Sequence, residues 1–152
     1  MNAIDLLKED HDRVEKLFEQ FKANEEGDNA SLAQQITEEL EAHTHIEETI
    51  FYPRLIEEGD EELKSIVEEG IEEHRQVKMF LNEMRNLSDG SDKLNAKLKV
   101  VVEDVEHHVE EEEGEMFSMV EDQFDEDVLN ALGAEMEKEK RNFMKGSAAS
   151  GR

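Results

Sequence analysis

Residues 43–53 read HTHIEETIFYP, placing a histidine and, four residues later, a glutamate in line with the buried face of a helix. Ile36 and Leu40 upstream and Ile50 downstream recur at the 3,4 spacing of such a face. The two missing members of that seam are His43 and Glu47. The oddity recurs along the chain. In the first helical tract Ile4, Leu7, Val14, Phe18 and Phe21 share a face, and His11 fills its open slot. In the third, Leu63, Val67, Val77, Leu81 and Met84 leave positions occupied by Gly70 and His74. In the fourth, Leu98, Val101, Val105, Met116 and Met119 leave His108 and Glu112 on the inner side. Each of four helices thus carries one core-facing histidine, and two of them add a carboxylate.

These tracts are separated by breakers: NEEGDNAS at 24–31, EEGD at 57–60, SDGSD at 88–92 and QFDED at 123–127. With 152 residues, one proline and no tryptophan, the chain reads as a single all-α domain. Short connections make successive helices antiparallel neighbours, which predicts an up-down-up-down four-helix bundle. Asn2, Ser31, Asp60 and Asp92 stand where helix starts need caps. A fifth helix at about 127–145, amphipathic through Val128, Leu132, Met136 and Phe143, is expected to pack outside the bundle. Residues 1–145 then form the domain, and GSAASGR at 146–152 a flexible tail. Pro53 removes one backbone hydrogen bond, so a bend is expected there, beyond the HTHIEE segment.

A formal net charge of -25 opposes nucleic acid and anionic membranes as partners and favours cations. Most of that charge reads as a solvated face, as in EEEEGE, and adaptation to high salt is compatible with it. The absence of cysteine excludes disulfides, thiolate metal sites and thiol catalysis. The N-terminus, MNAIDLLKEDHDRVEKLF, lacks the apolar run of a signal peptide or membrane span, so a cytoplasmic protein is expected.

The inner polar residues need compensation. A buried polar group without a partner costs about 1–3 kcal/mol against a total stability of about 5–15 kcal/mol. His11, His43, Glu47, His74, His108 and Glu112 could pair among themselves, or a divalent metal could satisfy all six, since imidazole and carboxylate are its natural ligands. Residues i and i+4 share a helix face about 6 Å apart, so His43 with Glu47 and His108 with Glu112 can each address one site. Four imidazoles and two carboxylates suit two carboxylate-bridged metals at roughly 3.5–4 Å better than one ion.

The DH of LLKEDHDRV, the H-x3-EE of HTHIEETIFYP, the EH of EEHRQV and the second H-x3-EE of HVEEEEGEMF carry a resemblance over about residues 3–124. The chain resembles the hemerythrin-like, HHE cation-binding proteins. An internal echo accompanies it: His43, Glu47, Glu48 and Tyr52 recur as His108, Glu112, Glu113 and Phe117. The resemblance implies a non-haem centre of two iron ions, bridged by carboxylates and an oxo or hydroxo group. Its ligands would be His11, His43, Glu47, His74, His108 and Glu112. Two departures from oxygen-carrying hemerythrins stand out. Gly70 occupies the place of a second histidine on the third helix, and Glu112 follows His108 at four residues instead of an aspartate at five.

Gly70 either leaves room beside one iron for water or an exogenous ligand, or simply permits close helix packing. His45 and His107 lie off the inner face, and Glu48 and Glu113 are expected to orient ligands or meet solvent. Tyr52 is expected to pack with its hydroxyl at the edge, and Met79, Met84, Met116 and Met119 to fill the core.

Three functions follow from these readings. One is a binding protein that holds oxygen, nitric oxide or iron for sensing, storage or delivery; a sensor would need a separate protein partner. Another is a di-iron enzyme acting on peroxide or nitric oxide, in which no acid or base can be singled out. The last is a metal-free acidic interaction module. A ferritin-like oxidase fits poorly, because that class places carboxylate before histidine at three residues.

Overall fold

The computed structural model describes residues 1–87 and 92–150, with side chains described to residue 146. The first bundle helix is α1 (Ala3–Lys22). The second comprises α2 (Ala30–Ile46), a π turn at Glu47–Phe51 and α3 (Tyr52–Glu58). The third is α4 (Glu61–Arg85). The fourth comprises α5 (Asp92–Glu111), a second π turn at Glu112–Met116 and α6 (Phe117–Gln123). The fifth helix, α7 (Glu126–Ser150), packs on α1 and α2. The expected all-α four-helix bundle with an added helix is therefore present.

Capping follows the expectation at two starts. Asn2 accepts from the Asp5 N–H at 2.9 Å, and Asp60 from the Leu63 N–H at 2.9 Å. At α2 the expected cap, Ser31, lies inside the helix; Asp28 instead accepts from the Ala30 N–H at 3.0 Å. Asn29 is engaged elsewhere, donating to Asn24 O at 2.9 Å and to Asn95 Oδ1 at 3.1 Å, which ties the first connection to α5. Asp92 stands in the first turn of α5, and residues 88–91 of the expected SDGSD connection lie outside the described residues.

An irregularity precedes Pro53, beginning at Glu47. The Tyr52 N–H bonds Glu47 O and the Phe117 N–H bonds Glu112 O, each spanning five residues, so both π turns begin at an inner glutamate. Proline is not required for such a turn, since the second has none; Pro53 sits in the first turn of α3. Each π turn advances the helix face by one residue. Ile50 is accordingly only partly buried, and Phe51, Tyr52 and Leu55 take the inner positions. In the fourth helix Met116, Phe117 and Val120 do so, with Met119 half-buried.

The apolar interior forms two cores. One contains Leu7, Phe51, Tyr52, Leu55, Leu63, Val67, Met116 and Phe117, and α7 contributes Leu129, Leu132 and Met136 to it. The other contains Val14, Phe18, Ile36, Leu40, Val77, Leu81, Leu98 and Val105. The histidines lie between them, at the level where His11 separates Leu7 from Val14. Met79, expected in the core, is exposed, because its place on α4 faces away from Val77 and Leu81.

Gly133 lets α7 lie directly on the start of α1: a Cβ there would stand 2.2 Å from Met1 O and 2.8 Å from Asn2 C. The backbone of α7 continues past its expected end near residue 145, through part of the expected flexible tail at 146–152; alanines at 148 and 149 suit the extension. Among the described residues no helix is long and apolar enough to cross a membrane.

Candidate metal centre

All six inner residues named from the sequence are buried, and their polar atoms converge. One cluster comprises His11, His43, Glu47 and Glu112, the other Glu47, His74, His108 and Glu112. Both glutamates belong to both clusters. The imidazole Nε2 atoms stand 3.0–3.2 Å from these carboxylates: His11 and His108 from Glu112, His43 and His74 from Glu47. The rings pair across the helices, His11 with His43 at 4.9 Å between centroids and His74 with His108 at 4.8 Å.

Each ring is held from outside through Nδ1, by a carboxylate from a neighbouring helix. Asp10 of α1 holds His43 at 3.0 Å, and Glu48 of the second helix holds His74 at 2.7 Å. Glu73 of α4 holds His108 at 2.5 Å, and Glu113 of the fourth helix holds His11 at 2.6 Å. The relay runs from the first helix to the second, third and fourth, and back to the first. Expectation is met for Glu48 and Glu113 as orienting groups. Asp10 and Glu73 were missed as such, although the acid directly before His11 and His74 was visible; position i−1 turns toward the adjacent helix, and only the packing identifies its partner.

This relay fixes what the inner atoms can do. A carboxylate at Nδ1 selects the tautomer that donates there, leaving a lone pair on Nε2 pointing inward. That lone pair then faces carboxylate oxygens, acceptor against acceptor. Although close, these contacts lack hydrogen-bond geometry for several atoms: His11 Nε2, His43 Nε2, both Glu47 oxygens and Glu112 Oε1 are buried without a hydrogen-bond partner. Positive charge between them would compensate all of these atoms at once. Adjacent ligands of an octahedral ion with bonds of roughly 2.1 Å stand about 3.0 Å apart, which matches the observed separations, so the donor set fits two divalent cations sharing Glu47 and Glu112.

The electrostatics state the same demand in protons. Burial pushes His43 down, but the charge of Glu47 and the bond to Asp10 raise it to about 10. Burial likewise opposes ionisation of His74 and His108, and their carboxylate partners still raise both. Burial pushes Glu112 up, but the charge of His108 holds it well below the usual carboxylate range.

Tyr52 overturns its expectation. Its hydroxyl is fully buried and donates to Glu112 Oε2, lying 3.2 Å from His108 Nε2 and 3.4 Å from His74 Nε2. The π turn that advances the helix face is what turns it inward. It also answers the question of Gly70. A Cβ at Gly70 would stand 3.3 Å from the Tyr52 hydroxyl and 3.3 Å from His108 Cε1, so the expected open space is filled by Tyr52. The echo residue Phe117 instead stacks on His11, with centroids 6.0 Å apart. The two clusters are therefore unlike.

A small cavity of about 30 Å³ meets the four imidazoles and is lined by Val14, Leu40, Val77, Val105 and Val109 together with Thr44 and Glu73. It is large enough for a water-sized molecule. The off-face histidines play other parts. His45 bonds Glu139 of α7 at 2.6 Å and stacks on Phe143, and His107 is exposed beside Glu111 at 2.5 Å.

A helical bundle with this buried imidazole and carboxylate layer defines a cation-binding protein. The chain belongs to the hemerythrin family: the Hemerythrin HHE cation binding domain matches residues 2–120. A crystal structure of an HHE cation binding domain-containing protein from Mycobacterium kansasii superposes with a TM-score of 0.79 over 98% of this chain and 91% of that one, at 21% identity, a likeness of fold. An uncharacterised hemerythrin-like protein of Schizosaccharomyces pombe is 25% identical over 138 residues, 90% of this chain and 68% of that protein. A DNA nickase of Nostoc sp. is 27% identical over 124 residues, 79% of this chain; the match spans only 34% of that protein.

Proposed function

We propose that this protein is a non-haem di-iron protein that binds a small molecule, oxygen or nitric oxide, or holds the iron itself, for sensing, storage or delivery. His11 and His43 would hold one ion, His74 and His108 the other, with Glu47 and Glu112 shared between them. The observation that carries the reading is this sharing of two carboxylates beside a small, largely apolar cavity. Iron, when bound, supplies reversible redox chemistry toward diatomic molecules and peroxide. The protein does the rest. Asp10, Glu48, Glu73 and Glu113 orient the imidazoles, and valines line the small cavity beside them. A cytoplasmic location and, for sensing, a separate protein partner complete the reading. Strand nicking, named for the Nostoc relative, is no part of it, because a net charge of -25 repels DNA.

Anaerobic ferrous loading, metal analysis and optical spectra before and after oxygen or nitric oxide test the proposal. Two iron ions per chain and a spectrum altered by the gas are expected. Binding of no iron, or binding unaffected by Glu47→Gln and His74→Ala, would overturn it.

A second reading, an enzyme acting on peroxide or nitric oxide, is favoured by Tyr52. Its hydroxyl, buried at the centre, donates to Glu112 Oε2 and lies within 3.4 Å of His74 Nε2 and His108 Nε2, where a hydrogen-bonding group can meet a bound small molecule. Oxygen evolution from peroxide by the iron-loaded protein, lost in His74→Ala and reduced in Tyr52→Phe, is the expected result under this reading.

A further inference from the structure

The four carboxylates that hold the imidazoles differ in their surroundings. Glu48, Glu73 and Glu113 have side chains 24–38% exposed, so water can stabilise their charge. Asp10 is only 2% exposed. A buried carboxylate is costly unless paired, and Asp10 is paired by Arg13 at 3.1 Å and by Lys140 at 2.5 Å, both on Oδ1. Lys140 comes from α7, which supplies none of the six inner residues. Its side chain is itself 17% exposed, lying along the interface with α1. The remaining oxygen, Oδ2, takes the His43 Nδ1 contact at 3.0 Å, whereas the other three carboxylates approach their rings at 2.5–2.7 Å.

We propose that Lys140 is a positioning residue for the metal centre: through Asp10 it sets His43, and so makes the fifth helix a working part of one of two cation sites. This rests on the di-metal reading above. The fixed ammonium anchors Asp10 Oδ1 and leaves Oδ2 aimed at the ring. Without it Asp10 keeps only the longer Arg13 contact, and His43 loses its fixed orientation toward Glu47. Among the described residues the cluster of His74 and His108 has no link to α7 through its own carboxylates: Glu48 is paired with Lys78 of α4, and Glu73 lies beside Glu111 of α5. The effect is therefore confined to one site. Outer partners of metal-binding histidines typically contribute about 10–100-fold in affinity. Lys140 acts one residue further out, and a loss of about 10-fold at one site is expected.

Calorimetric titration of the full chain with Co2+ tests this. The unaltered protein should take up two equivalents. Lys140→Met should weaken one by about 10-fold and leave the other unchanged, and Lys140→Arg should restore it. In the cobalt protein, the exchangeable ring N–H signal of His43 should move in Lys140→Met while those of the other three histidines stay. Glu139→Ala removes the contact between α7 and His45 but spares Asp10, and should leave both equivalents intact. Unchanged or equally weakened sites in Lys140→Met, failure of Lys140→Arg to restore, or the same pattern in Glu139→Ala would overturn the proposal. Failure of the unaltered protein to bind two equivalents would instead overturn the di-metal reading, and this inference with it.

Discussion

Replacing Gly70 by alanine tests whether Tyr52 truly occupies the space that a larger side chain would need. The added Cβ would lie 3.3 Å from the Tyr52 hydroxyl, 3.3 Å from His108 Cε1 and 3.7 Å from Met116 Cε. The first two contacts are tight, and neither neighbour can swing away: Tyr52 is fully buried and bonded to Glu112, and His108 is held by Glu73. Overpacking of this kind costs about 1–3 kcal/mol, while alanine in place of glycine inside a helix returns about 1 kcal/mol. A net loss of about 0–2 kcal/mol is expected. Tyr52→Phe alone removes a hydrogen bond to a buried carboxylate and should cost about 1.5–3 kcal/mol. In the double variant the contacting hydroxyl is gone, so Gly70→Ala should cost about 1 kcal/mol less than it does beside tyrosine. Urea unfolding of the four proteins in chelator, followed by the helical circular dichroism signal, measures this coupling. Losses that add to within about 0.5 kcal/mol would show that the hydroxyl does not fill the space beside Gly70.

Gly133→Ala forces a Cβ onto the backbone of residues 1–3 and should lower stability by about 1–3 kcal/mol, whereas Gly146→Ala, with open space around it, should not; thermal unfolding distinguishes them. Glu15 is raised from 4.5 to about 7 by burial and by Glu106 beside it, so the folded protein holds that proton more tightly between those values. Its contribution is full below about pH 4.5 and lost as pH rises through about 7. Glu15→Gln should therefore gain stability relative to the unaltered protein between pH 5 and pH 8, by less than about 1 kcal/mol because the site is half-exposed. Glu113→Gln should weaken cation binding by about 10–100-fold through the loosened His11 ring, read by Co2+ titration. Each cation present at 100 times its Kd should add about 2.7 kcal/mol, or roughly 5–11 °C in Tm, and chelator should reverse the gain.

The bundle was legible because apolar residues at the 3,4 spacing marked each inner face, and the six polar residues stood out as intruders on those faces. All six are buried together, at the positions that spacing assigned. Beyond Glu47 and Glu112 the same spacing misleads. A π turn leaves no mark in the apolar pattern except a change of phase, which made Ile50 look inward and Tyr52 look peripheral. Gly70 and Tyr52 are complementary, yet they sit on different helices, so neither could be interpreted without the other. Asp10 and Glu73 carried the visible signal of an acid before a histidine, but each serves the histidine of another helix. Lys140 carried none, being one lysine among many charges on an outer helix.

The closed relay of carboxylates and imidazoles bears on how the bundle chooses its alignment. Greasy stripes of valine, leucine and phenylalanine are non-directional and tolerate sliding of one helix past another. The relay does not. Displacing any single helix by one turn, about 5.4 Å, would sever two links at once, the one that helix gives and the one it receives. The polar layer thus works as a key that locks four rods at one height.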